Sequence, residues 1–203
     1  NRRSRGLGDV YKRQKYKCTN KSEILELIKK QNFDFLDFGC SKGCAIAWAK
    51  KYLNGKNGLG IDIDEDKLNK ASRAGYHVCN FDILKLPCKR LVDFVVLFHF
   101  LEHIQDSIIV EKFINQACKI SKKFVFIKQP FFDCDGYLLE KGLKMHWSDW
   151  NGHPNRMTTL ELYLIFRKLK DEGFVNQFSI HGKGLISDST DPSLIPLETP
   201  INQ

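Results

Sequence analysis

Residues 37–43, Asp-Phe-Gly-Cys-Ser-Lys-Gly, contain the turn that decides the fold. The apolar run at 33–38 predicts a short buried strand that ends in this segment, and a helical pattern at 42–53 follows it. An acidic residue at the end of a strand, followed by glycines, lets the backbone approach a ligand. The segment therefore indicates a ligand-binding turn in an α/β protein.

The rest of the chain alternates between strand and helix patterns. The predicted strands are residues 33–38, 58–63, 76–81, 91–98 and 123–127. The predicted helices begin near Ser22, Lys42, Asp64, Ile108 and Thr159. Residues 91–98 are almost wholly apolar, which is typical of a parallel strand covered by helices on both faces. The sequence therefore predicts an α/β fold with a doubly wound, mostly parallel sheet.

The glycine spacing of the turn excludes two common nucleotide-binding motifs. A dinucleotide fingerprint needs Gly-x-Gly-x-x-Gly, and counting from Gly39 the other two glycines are replaced by Ser41 and Cys44. The Gly-x-x-x-x-Gly-Lys-[Ser/Thr] spacing of a phosphate-binding loop is missing as well. Taken alone, Gly39 and Gly43 are as typical of tight strand-to-helix packing as of a ligand-binding turn.

Two further acidic residues follow later predicted strands. Asp62 lies 25 residues after Asp37 at the end of a strand, where a carboxylate can accept hydrogen bonds from both hydroxyls of a ribose. Asp82 follows the next predicted strand, another 20 residues on. Each acid alone is equally typical of a helix N-cap or a solvated loop. Together with the turn at 37–43 they favour a binding role over three separate caps or loops.

Four segments in order resemble the motifs of class I S-adenosylmethionine-dependent methyltransferases of the small-molecule type. They are residues 37–43, 60–64, 80–87 and 93–104. The fourth ends in Leu-Glu-His-Ile, similar to small-molecule members, whereas Ser41 stands where a third glycine is common. The resemblance implies the Rossmann-like class I methyltransferase fold, with S-adenosyl-L-methionine as the cofactor and methyl donor.

The resemblance also implies which residues hold the donor. Asp62 would bind the ribose hydroxyls, and Asp82 would face the adenine amino group with Phe81 or Ile83 against the ring. The full implied donor site is Asp37, Gly39, Cys40, Ser41, Gly43, Asp62, Ile63, Phe81, Asp82, Ile83, Phe98 and His99.

Methyl transfer from a sulfonium is an in-line displacement, so most of the catalysis is alignment, and neither a metal nor a covalent intermediate is required. A hydroxyl acceptor benefits from a general base, and His99, directly after the fourth predicted strand, is the first candidate. The alternative is that His99 caps the strand end or flanks the donor without moving a proton. Glu102 and His103 match the family motif and are expected to shape the following helix start and the donor pocket rather than to carry protons.

Residues 131–157 are predicted to form a long acceptor-side loop rich in Trp, His, Phe and Asp. Trp147 and Trp150 would wall an apolar acceptor pocket, or would only pack the loop onto the sheet edge. The polar acceptor contacts would come from His103, His146, Asp149, His153 and Arg156. Four metal-binding side chains in the loop have a spacing that matches no known site, so no metal is predicted. They are Asp133, Asp135, His146 and His153.

The acceptor class follows from a missing motif and from charge. The family's Asn/Asp-Pro-Pro-Tyr/Phe signature for adenine or amide nitrogen is absent after the fourth predicted strand. The formal net charge is +8, half of it in residues 1–14, and the Lys-Lys pairs at 29/30, 50/51 and 122/123 are dispersed along the chain. The favoured function is methylation of an oxygen or nitrogen of a small molecule. The alternatives are an RNA methyltransferase and a non-catalytic donor-binding protein.

The domain organisation is predicted to be simple. Residues 4–14 resemble a translated sequencing adaptor, so residues 1–14 are set apart from a single domain at 15–203; a natural basic arm is the alternative. We expect truncation at both ends and a missing seventh strand, with residues 174–180 as the last core strand. The chain has seven cysteines without a Cys-x-x-Cys pair, which predicts reduced thiols in a cytoplasmic protein. It has no apolar run of roughly 20 residues, so no membrane span is predicted.

Overall fold

The computed structural model describes residues 15–182, 184, 186 and 188–200; the predicted adaptor segment lies outside them. The chain divides into two compact units. The first comprises the described residues up to Phe98 together with Gln116–Ile127, and the second comprises His99–Asn115 together with the described residues from Lys128 onward. No helix among the described residues is long and apolar enough to cross a membrane.

A six-stranded sheet forms the centre of the first unit. Its strands are β1 (Lys15–Lys17), β2 (Phe35–Phe38), β3 (Gly58–Asp62), β4 (His77–Asn80), β5 (Val92–Phe98) and β6 (Ser121–Lys128). The order across the sheet is β1-β4-β3-β2-β5-β6. The pairs β1–β4, β4–β3, β3–β2 and β2–β5 are all parallel. The predicted Rossmann-like, mostly parallel sheet is therefore confirmed.

The described residues form six α-helices. They are α1 (Lys21–Lys30), α2 (Cys44–Tyr52), α3 (Glu65–Arg73), α4 (Ser107–Ile120), α5 (Asp135–Glu140) and α6 (Thr159–Asp171). All but α5 lie where the sequence predicts helices. Side-chain caps define several starts: Asn20 accepts from two backbone N–H groups of α1, Asp64 accepts from Lys67 of α3, and Thr158 forms a capping box with Glu161.

Stacked aromatic rings pack across three neighbouring strands of the first unit. Phe35 of β2 and Phe94 of β5 stack with ring centroids 4.8 Å apart and planes within 5° of parallel. Phe124 of β6 continues the stack at 4.7 Å from Phe94. A Cβ atom on Gly58 would lie 2.1 Å from the Phe35 ring, so packing requires glycine at the start of β3.

Two strand predictions differ from the structure. The sequence does not predict β1, a short Lys-Tyr-Lys segment whose Tyr16 ring stacks on His77 of β4 with the centroids 5.8 Å apart. The strand predicted at 174–180 is wrong, because these residues have no strand assignment. The Phe178 ring instead packs against Phe166 of α6, so contacts with a helix satisfy the alternating pattern.

The segment predicted as a long loop contains regular structure of its own. Residues 131–157 include α5 and a strand, β7 (Leu143–Met145), which pairs antiparallel with β8 (Leu194–Pro196). Lys144 is buried in this small sheet, where its Nζ donates to Asp149 Oδ2 at 2.8 Å and to the Thr199 carbonyl at 2.7 Å. The segment predicted as a loop therefore has helix or strand structure over about a third of its length.

Candidate functional site

The turn that follows β2 has an unusual backbone at three positions. Gly39, Ser41 and Gly43 have φ values of 68°, 50° and 88°. Glycine adopts this left-handed region without steric cost, whereas serine does not. A Cβ atom on Gly43 would also lie 2.4 Å from the ring of Tyr76, so packing alone requires this glycine. The turn thus keeps Ser41 in a conformation that a third glycine would adopt more easily.

The carboxylate of Asp62, at the end of β3, holds this turn in place. Asp62 Oδ2 accepts the backbone N–H of Ser41 at 2.8 Å, and Oδ1 accepts the backbone N–H of Asp64 at 3.0 Å. One carboxylate therefore joins the turn after β2 to the turn after β3. A carboxylate offers about four lone-pair positions, so these two bonds leave capacity for ribose hydroxyls.

Asp37 is a buried acid beside the same turn. Its side chain is 1% exposed, and neither carboxylate oxygen has a hydrogen-bond partner among the described residues. Burial, with a smaller effect from the charge of Asp62, raises the pKa of Asp37 well above its usual value. A buried carboxyl group without a hydrogen-bond partner is costly, so Asp37 is a candidate ligand contact.

The residues after β4 are those predicted for the adenine end of the donor. Phe81 and Ile83 are buried, and the backbone N–H of Phe81 donates to the carbonyl of Asp62 at 3.3 Å. Asp82 is half-buried, and its Oδ1 accepts the backbone N–H of Leu84 at 3.0 Å, which caps a short 3-10 helix. Asp82 is therefore a helix N-cap, which is the alternative role that the sequence allows for this acid.

The other residues of the first unit that are predicted to bind the donor differ in their surroundings. Cys40 is buried, its side chain packs against Gly60, and burial raises the pKa of its thiol, which makes it unreactive. Ile63 is 75% exposed. The Phe98 ring packs against Trp48 of α2, with the centroids 5.1 Å apart.

His99 begins the second unit with a left-handed backbone, φ 52°. Its backbone N–H donates to the Lys128 carbonyl at 2.7 Å, and its Nδ1 lies 3.1 Å from Oε1 of Glu102. Glu102 is 2% exposed, and its Oε2 has no hydrogen-bond partner within the described part of the chain. A buried carboxylate thus orients the exposed imidazole, the arrangement expected of a general base.

Three of the predicted acceptor residues form a cluster of rings in the second unit. His103 and His153 have centroids 5.1 Å apart, and Trp150 packs edge-to-face on His153 at 4.5 Å and on His103 at 5.9 Å. The Nδ1 of His103 donates to the Gly152 carbonyl at 2.6 Å, and that of His153 donates to the Trp147 carbonyl at 3.2 Å. Burial lowers the pKa of His153.

The remaining predicted acceptor residues are engaged elsewhere in the second unit. The Trp147 indole N–H donates to the Phe131 carbonyl at 3.0 Å, and the His146 ring packs on Trp147. Arg156 is exposed. Burial raises the pKa of Asp135, and the positive charge of Arg156 partly offsets this rise. The sequence allows either a pocket-lining role or a packing role for the two tryptophans. The packing role describes the contacts of Trp147 better than those of Trp150.

An open depression of about 630 Å³ lies at the amino ends of β2, β5 and β6, the opposite end of these strands from the donor turn. Its lining includes Lys29, Lys56, Lys122 and Lys123. Ligands of open α/β sheets bind at the carboxyl ends of the strands, so this depression is not the donor site.

Three features define the class I fold of S-adenosylmethionine-dependent methyltransferases. They are a parallel sheet of this strand order, a glycine-containing turn after β2, and an acidic residue at the end of β3 that hydrogen-bonds to this turn. The sequence profile of the family described as "Methyltransferase domain" matches residues 10–174. The chain belongs to this family, and it is an S-adenosylmethionine-dependent methyltransferase. No curated protein matches the chain.

Solved structures agree with this fold. A SAM-dependent methyltransferase from Archaeoglobus fulgidus is 21% identical, with a TM-score of 0.51, and the match covers 74% of this chain and 68% of that one. One from Methanosarcina mazei is 17% identical, with a TM-score of 0.51 and coverages of 75% and 85%. The plantazolicin methyltransferase BpumL, in complex with SAH, is 16% identical, with a TM-score of 0.51 and coverages of 73% and 60%.

Proposed function

We propose that this enzyme transfers the methyl group of S-adenosylmethionine to an oxygen or nitrogen of a small-molecule acceptor, with His99 as the general base. The observation that carries the proposal is the 3.1 Å contact between His99 Nδ1 and Oε1 of the buried Glu102. A carboxylate can only accept, so Nδ1 carries the proton of this hydrogen bond and Nε2 becomes the basic nitrogen.

The reaction needs one proton transfer and one displacement. The acceptor O–H or N–H gives its proton to His99 Nε2 as the acceptor atom attacks the methyl carbon. The bond between that carbon and the sulfonium breaks, and its electron pair returns to sulfur to give S-adenosylhomocysteine. Alignment of donor and acceptor supplies most of the rate, and the base adds typically 10²–10⁴-fold.

Ring surfaces support a small acceptor. His103, Trp150 and His153 present aromatic faces and edges within one unit, which suits a flat apolar molecule with a few polar atoms. Trp147 and Arg156 complete the proposed acceptor set. The lysines brought together at the amino ends of the strands lie away from the donor end, so they give no basic track for RNA at the site of transfer.

The test is formation of S-adenosylhomocysteine with a panel of phenols, catechols and primary amines, and separately with a mixed RNA. We expect turnover with members of the small-molecule panel and none with RNA. Turnover with RNA alone would establish the nucleic-acid alternative. Calorimetric binding of S-adenosylhomocysteine without turnover on any acceptor would instead identify a donor-binding protein. The exposed His181→Ala serves as a control that keeps full turnover.

A further inference from the structure

We propose that Glu102, His103 and His153 bind a first-row divalent metal ion and leave coordination positions open for an oxygen ligand. One ligand atom from each side chain lies within 4.8 Å of the other two. Bonds of about 2.0–2.2 Å from a metal to nitrogen or oxygen place the ligand atoms of a tetrahedral site about 3.3–3.6 Å apart. Side-chain movements of roughly 1 Å would therefore close the site.

Glu102 supplies the strongest reason to expect a cation. Its side chain is 2% exposed, Oε1 contacts His99, and Oε2 has no hydrogen-bond partner among the described residues. A buried carboxylate oxygen without a partner is costly, and natural proteins pair such charges or use them to coordinate metals. The backbone carbonyl of Glu102 accepts the N–H of Asn155 at 3.2 Å, which ties the acid to the segment that carries His153.

The two histidines are oriented as metal ligands are. Each Nδ1 lies at hydrogen-bond distance from a backbone carbonyl, Gly152 for His103 and Trp147 for His153. Because a carbonyl can only accept, the proton of each neutral ring is on Nδ1 and the lone pair is on Nε2. Metal-binding histidines almost always donate their other N–H to a carbonyl or carboxylate in this way.

Asp133 and Asp135, the two acids near His153 in the sequence that could also bind a metal, make other contacts in the structure. Asp133 accepts from the backbone N–H and the hydroxyl of Thr159 at the start of α6. Asp135 accepts from the Ser148 hydroxyl at 2.7 Å. The fold instead brings His153 to the Glu102-His103 pair, fifty residues earlier, a spacing that no metal-binding motif would reveal.

Two imidazoles and one carboxylate suit zinc, iron, cobalt or nickel better than calcium or magnesium, which prefer all-oxygen sites. Three protein ligands also leave positions for water or a substrate atom. The role of the ion rests on the proposed function: an acceptor hydroxyl bound to the metal would ionise more readily, and its proton would pass to His99.

The site is tested with Co²⁺ as the probe, added to the full chain after chelator treatment and without donor or acceptor. We expect one Co²⁺ per chain by calorimetry, with visible absorption bands of the coordinated ion. Glu102→Gln and His103→Ala should each weaken binding at least tenfold. His181→Ala, at an exposed histidine of the same unit, should bind Co²⁺ as the natural chain does.

His103 is exposed, so its alanine variant keeps the fold, which a thermal melt would verify. In the natural chain Co²⁺ should raise the melting temperature, and His103→Ala should lose this shift. No Co²⁺ binding by the natural chain, or equal binding by all variants, would overturn the proposal. Co²⁺ binding without turnover on any small-molecule acceptor would overturn the proposed function and leave the metal site standing.

Discussion

The backbone N–H of Ser41 donates a hydrogen bond of 2.8 Å to Oδ2 of Asp62. This bond links two turns that follow neighbouring parallel strands, and it forms at a residue whose φ is 50°. Asp62 therefore shapes the turn after β2, and it is also the residue predicted to bind the ribose. The loss of this side chain should affect both the ligand and the turn that receives it.

Asp62→Ala should weaken binding of S-adenosylhomocysteine by about 1.5–3 kcal/mol, since it removes charge-assisted hydrogen bonds to the ribose. Asp62→Asn, which keeps one acceptor oxygen, should lose less. Calorimetric titration measures both, and the exposed Asp66→Ala on α3 is the control. Unchanged affinity in Asp62→Ala would remove the basis for the donor site.

Ser41→Gly should raise the free energy of unfolding by about 0.5–1 kcal/mol, because glycine adopts the left-handed region without the clash of a Cβ atom. Urea unfolding of the two proteins gives the difference. Ser72→Gly in α3 should destabilise by a few tenths of a kcal/mol to about 1 kcal/mol, since it places glycine in a helix. A shift of the same sign in both variants would contradict the strained turn.

His99→Ala should leave the affinity for S-adenosylhomocysteine nearly intact and lower turnover about a hundredfold or more. Calorimetry measures the affinity for S-adenosylhomocysteine, and initial rates with an identified acceptor measure turnover. A comparable loss of donor affinity would place His99 in the donor site instead of at the acceptor.

Asp37→Asn should flatten the pH dependence of stability. Because the folded-state pKa of Asp37 is raised, the folded chain keeps a proton that the unfolded chain releases above its ordinary pKa of about 3.9. The natural chain should therefore lose stability as pH rises from about 4 towards the raised pKa, whereas the neutral asparagine should lose less.

Urea unfolding of the natural chain and Asp37→Asn at several pH values from 4 to 8 checks this difference. The exposed Asp66→Asn should follow the natural chain. Parallel pH profiles for the natural chain and Asp37→Asn would show that burial does not perturb this carboxyl.

The sequence predicts elements that carry their own periodicity and misses those that depend on distant partners. The strand at Val92–Phe98 is continuously apolar and is found as predicted, whereas β1 is polar and forms only because β4 lies beside it. The donor turn and Asp62 follow from local motifs. The cluster of Glu102 with His153 joins residues about fifty positions apart, and no spacing rule connects them.

The stack of Phe35, Phe94 and Phe124 fixes how three strands align along their length. Side chains of a strand alternate between its two faces, so a shift of β5 by one residue would bring Asp93 or Val95 opposite Phe35. A shift that inserted Asp93 would bury a carboxylate between rings and break its 2.7 Å contact with Lys123. The rings thus make misaligned pairings of these strands unfavourable. Because the turn at 39–43 directly follows β2, the same register also sets the position of that turn.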